Sequence, residues 1–144
     1  MNITQARRLV KLLKVTVRTP ISNFNMERWV GGNVKANIAT QIKKPDCGTT
    51  LCFWGHAPIA WPKDFEWKGE YVSKVGEVDQ RCSLKYFFQE FFGISRDQAS
   101  ILFFNCDLDH YTQLSETVFK VLNSNGYKCV NGKVERMLTP LNSL

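Results

Sequence analysis

The chain has 144 residues, of which 44% are hydrophobic and 12% aromatic, and it carries a formal charge of +6. Ten Phe and four Trp supply ample core material, which excludes intrinsic disorder, and the length matches one typical domain of about 100 to 150 residues, here spanning 1–144. No apolar run approaches the roughly 20 residues of a membrane span, and Leu9-Val10-Lys11-Leu12-Leu13-Lys14 is broken by lysines, so neither a membrane segment nor a signal-peptide core is expected.

Five cysteines are an odd number without secretory context, which argues for a cytoplasmic protein with free thiols and against a disulfide framework. Charge is unevenly placed. Residues 1–44 carry nine basic side chains against Glu27 alone, a balance of +8, while the remaining hundred carry ten basic and twelve acidic groups. Such asymmetry suits a partner with an acidic surface, either nucleic acid or protein.

The first periodic segment is 4–15. Ile3, Ala6, Leu9, Val10, Leu12 and Leu13 fall on one side of a helix, with Arg7, Arg8, Lys11 and Lys14 recurring on the other. Pro20 disfavours helix at Thr19, so this basic amphipathic helix ends shortly before it. Phe24, Met26, Trp29 and Val30 are apolar anchors ahead of Gly31-Gly32, a loop signal, and 34–44 reads as either a short helix or a strand. Next, Asp46 or Thr49 caps a short helix over 47–57 that must end before Pro58, with Cys52, Gly55 and Ala57 small enough for close packing. The stretch 61–69, with Trp61, Phe65 and Trp67, has no helical period and reads as an ordered loop pinned by its rings.

Leu84, Phe87, Phe88 and Phe91 mark a further helical face closed by Gly93. Ser95-Arg96-Asp97-Gln98 has the spacing of a capping box, and the helix it opens carries Ala99, Ile101, Leu102 and Phe103. Leu114, Val118, Val121 and Leu122 define the last helix, closed by Asn125-Gly126. Asn131-Gly132 between Cys129-Val130 and Lys133-Val134 predicts a two-residue β-hairpin turn. The expected architecture is therefore mainly α: a single compact helical domain with a small C-terminal β-hairpin, α+β being the alternative, and the 47–57 helix central to its core.

Phe24-Asn25-Met26-x-x-Trp29, Cys47-Gly48-Thr49-x-x-Cys52-x-x-Gly55-x-Ala57 and Phe92-Gly93-Ile94-Ser95-x-x-Gln98-Ala99-x-x-Leu102-Phe103 together resemble a group of small uncharacterised proteins encoded by bacteriophages and bacteria. The resemblance spans about residues 6 to 125. It implies a prokaryotic or phage setting, hence the cytoplasm of a host cell, and assigns no activity. The chain departs from the group in Asn105-Cys106-Asp107-Leu108-Asp109-His110 and in its C-terminal hairpin.

Three functional readings compete. In the first, Cys47 at a helix start is a nucleophile, its thiol acidified by unpaired backbone N–H groups, with His110 or His56 as base and Asp107 or Asp109 as orienting group, giving a cysteine-dependent hydrolase or transferase. In the second, Cys52 with His56 and Cys106 with His110, each four apart, chelate zinc; the set has no CxxC knuckle and is a weak candidate. In the third, which the sequence favours, the protein is a stoichiometric effector, not an enzyme, that needs no cofactor. It would occupy a host protein or nucleic acid, as inhibitors of host defence do, through Arg7, Arg8, Lys11 and Lys14 with Trp61, Phe65 and Trp67 as aromatic anchors.

Overall fold

Helix α1 (Ile3–Val17) forms where the periodicity places it. The computed structural model describes residues 1–18, 30–32, 49–51, 53–68, 71–76, 84–104 and 111–138. Asn2 opens α1 with a capping box: its side chain accepts from the Gln5 N–H while the Gln5 side chain accepts from the Asn2 N–H, each at 2.8 Å. Ala6, Leu9, Val10, Leu12 and Leu13 are buried, and the buried Thr16 hydroxyl donates to the Leu12 carbonyl at 2.8 Å. Arg18 ends the helix just short of the residues that Pro20 restricts.

Strand β1 (Val30–Gly32) pairs antiparallel with β2 (Thr49–Leu51), Val30 opposite Leu51. This corrects two expectations. Gly31-Gly32 lies within a strand, and Thr49–Leu51 is a strand where the start of a helix was expected. Ladder hydrogen bonds to a distant segment decide these short stretches, and a local pattern does not record them. A 3-10 turn (Trp54–His56) then runs into the short helix α2 (Ala57–Ala60). Pro58 sits in the first turn of α2, where its missing N–H costs no hydrogen bond, so the proline opens a helix instead of closing one.

The aromatic loop is also corrected. Phe65–Lys68 is strand β3, paired antiparallel with β4 (Tyr71–Lys74), Phe65 opposite Lys74 and Lys68 opposite Tyr71. Its signal is the period-two alternation of Phe65 and Trp67 with Glu66 and Lys68.

Helices α3 (Leu84–Phe92), α4 (Arg96–Phe103) and α5 (Tyr111–Ser124) follow the sequence pattern closely. Gly93 ends α3 at φ +64°, the left-handed conformation that a helix C-terminus commonly requires. The capping box of Ser95 and Gln98 opens α4 as expected, although Ile101 faces solvent. Leu114, Val118, Val121 and Leu122 are all buried on α5. The C-terminal hairpin pairs β5 (Tyr127–Val130) with β6 (Lys133–Arg136), and positive φ at both Asn131 and Gly132 identifies the type I′ turn that Asn-Gly predicts. The protein is thus mainly α with a C-terminal β-hairpin, and two further strand pairs lie among the described residues.

The buried side chains form one cluster, with Trp54 at its aromatic centre. Rings of Phe65, Phe88, Phe92 and Phe103 surround the indole at 4.9–6.1 Å, all near edge-on, and Phe88 stacks on Phe103 at 4.1 Å. Each such pair adds about 0.5–1.5 kcal/mol beyond its buried area. The Trp54 Nε1–H is buried without a hydrogen-bond acceptor among the described residues, and ring faces supply at most a weak N–H···π contact. Helix α1 lies across this assembly, packing on α2, α3, α5 and the C-terminal hairpin.

Candidate anion-binding groove

How α1 is held decides which of its cations are available. Gln5 and Arg8 both reach the C-terminal end of α3, where backbone carbonyls have no partner within the helix. Gln5 Nε2 donates to the Glu90 carbonyl at 2.7 Å, and an Arg8 guanidinium N–H donates to the Phe91 carbonyl at 3.0 Å. The same guanidinium lies 4.5 Å from the centroid of the Phe91 ring. A cation there also meets the negative end of the α3 dipole. Arg8 therefore acts as a clasp between two helices, and the structure separates it from its basic neighbours.

Arg7, Lys11 and Lys14 follow a different course. Spaced at four and three residues, they share one stripe of α1, and that stripe faces the C-terminal hairpin. Together with Val10, Gly132, Lys133 and Val134 they line a groove of about 350 Å³. Buried Val10 and half-buried Val134 contribute apolar surface to it. Lys14 Nζ donates to the carbonyl of Gly132, tying α1 to the tip of the hairpin. The Asn-Gly turn is thus part of the groove wall. Its left-handed backbone brings the Gly132 carbonyl to Lys14 and sets Lys133 immediately after it, adding a fourth cation.

Lys133 was not among the residues singled out from the sequence. The hairpin motif located it next to a turn, but only the docking of the hairpin on α1 brings it to Arg7, Lys11 and Lys14.

The expected aromatic anchors divide differently. Phe65 is 4% exposed and packs against Trp54 and Phe91, so it is corrected from a surface contact to a core residue. Trp67 is half-buried, and its Nε1–H donates to the Gly55 carbonyl at 2.9 Å, holding β3 against the 3-10 turn. Trp61 is half-buried, meets Phe91 edge-on at 5.1 Å and lies 5.8 Å from the Lys11 ammonium. None of the three lines the groove.

Cys47, Cys52, Cys106, Asp107, Asp109 and His110 lie outside the described residues, as do the segments 21–29 and 33–48. His56, shared by the catalytic and zinc readings, closes the 3-10 turn with its side chain fully buried. Among the described residues no cluster of three or more His, Cys, Asp or Glu side chains is placed to hold a metal ion. No described helix is long and apolar enough to cross a membrane. No family model matches the chain, and neither a curated protein nor a solved structure shows significant similarity to it.

Proposed function

We propose that the protein is a small effector of a phage or prokaryotic cell that acts in the cytoplasm by stoichiometric binding to an acidic host macromolecule. Inhibition of a host defence factor is the role that suits such a binder. The observation that supports this reading is the convergence of Arg7, Lys11, Lys14 and Lys133 on one groove. Like charges gathered around a concavity repel one another, and an anionic partner converts that repulsion into attraction. The focused field also speeds encounter with such a partner, at a rate that falls as salt rises.

Of the residues in the alternative reading, catalysis by Cys47 with His110 or His56, only His56 lies among the described residues. A general base must reach the proton it abstracts, and His56 has no exposed surface.

The test is affinity capture from a bacterial lysate with the tagged chain, repeated with Arg7→Glu/Lys11→Glu. One dominant component should be retained by the wild type, released by salt, and lost from the double variant while its melting temperature stays unchanged. A component retained equally by both proteins would refute binding through this face.

A further inference from the structure

The groove differs from a nucleic-acid track in three respects. Its cations converge: Arg7, Lys11 and Lys14 on α1 and Lys133 on β6 face one concavity. A nucleic-acid strand presents one phosphate every ~3.4 Å along its length and is best met by charges along a single track, whereas here Lys133 faces the α1 stripe of Arg7, Lys11 and Lys14 from the opposite wall. Binding of single strands also uses aromatic platforms for the bases. Among the described residues no aromatic side chain lines the groove. Trp61, beside Lys11, is already engaged by Phe91 at 5.1 Å and by the Lys11 ammonium at 5.8 Å.

The second respect is the apolar wall formed by Val10 and Val134, which offers nothing to a phosphodiester and a seat to an aliphatic side chain. An apolar centre with a charged rim is the usual anatomy of a protein–protein contact. The third is size. At about 350 Å³ the groove lies near the small end of the ~300–1,000 Å³ range of binding clefts, which suits one or two side chains better than a length of backbone.

We infer that the groove recognises an acidic, aliphatic segment of a partner protein: one aliphatic side chain seats against Val10 and Val134, and flanking carboxylates meet Arg7, Lys11 and Lys133. The inference rests on the binding function proposed above and names the chemistry of the partner. Lys14, which donates to Gly132, keeps the two walls together. Arg7 is the cation suited to a two-pronged carboxylate contact, because its planar guanidinium matches both oxygens.

The experiment is fluorescence anisotropy on the full chain with three labelled probes: a short peptide alternating Glu and Leu, the same peptide with every Leu replaced by Ser, and a single-stranded oligodeoxynucleotide. The Glu–Leu peptide should bind at least about tenfold more tightly than either other probe, and Arg7→Glu and Lys11→Glu should each weaken it by about tenfold or more, with melting temperature unchanged. Equal affinity for the Glu–Leu and Glu–Ser peptides would overturn the role of the apolar wall and with it the inference. Tighter, Arg7-dependent binding of the oligonucleotide would overturn the protein partner and leave the wider binding function standing. Binding of all three probes that ignores both charge reversals would overturn the groove as the site, and the lysate capture then decides the wider function independently.

Discussion

Replacing Gly93 by alanine tests how the α1–α3 clasp is built. Gly93 has φ +64°, where a side chain costs about 1–2 kcal/mol. A Cβ at this position would also stand 2.7 Å from both Gln5 Cδ and Met1 Cα, closer than real Cβ contacts, and one of the two neighbours is backbone. Relief requires Gln5 to move. That motion breaks its capping box with Asn2, worth about 0.5–2 kcal/mol, and its bond to the Glu90 carbonyl, worth about 0.5–1.5 kcal/mol. The expected loss is about 3 kcal/mol, or roughly 6–12 °C in melting temperature for a chain of this size. Gly126 provides the control, since its φ is +85° and no atom of the described residues lies within 4 Å of a Cβ there. Gly126→Ala should show the backbone strain alone, about 1–2 kcal/mol or a fall of about 2–8 °C, and less than that of Gly93→Ala. Thermal melts followed by circular dichroism compare the two variants directly. Equal falls would refute the steric part of the reasoning and with it the role of Gln5 as a two-way link.

Two further outcomes follow from the same geometry. Arg8→Ala removes a charge-assisted bond to the Phe91 carbonyl and a cation held over the Phe91 ring, so it should lower stability by about 1.5–3 kcal/mol in a urea titration. Affinity for the acidic–aliphatic probe should stay within about twofold of wild type, and a loss as large as that of Arg7→Glu would return Arg8 to the binding surface. Burial pushes the Tyr111 phenol up to about 12, whereas an unfolded chain ionises its tyrosines near 10. Between those values the unfolded state loses its proton first, so the stability present below pH 10 is lost as pH rises towards 12. Tyr111→Phe should flatten this part of the melting-temperature profile relative to wild type; identical profiles would show that the folded structure does not hold the phenol neutral.

Much of the helical framework was legible in the chain because it is encoded by local rules. The capping box of Ser95 with Gln98, the buried faces of α1 and α5, the Gly93 terminus and the Asn131-Gly132 turn each depend on residues within a few positions of one another; the Asn2–Gln5 box is equally local, but it was not among the features singled out from the sequence. The pairing of Val30–Gly32 with Thr49–Leu51 joins segments far apart in sequence, and neither strand is long enough to show a period. The β3–β4 hairpin did carry a short alternating signal, which its concentration of aromatic rings obscured.

The basic stripe of α1 illustrates the same division. Periodicity alone put Arg7, Arg8, Lys11 and Lys14 on the polar side of a helix, because side-chain direction follows from 3.6 residues per turn. It could not divide them, since that depends on what packs against each part of the circumference. The C-terminal end of α3 takes Arg8, and the hairpin turn brings Gly132 and Lys133 to Arg7, Lys11 and Lys14. A charge on a helix is a local property of the chain. A groove is a relation between elements, and it exists only once burial of the Trp54 cluster and the apolar face of α1 has set helix and hairpin side by side.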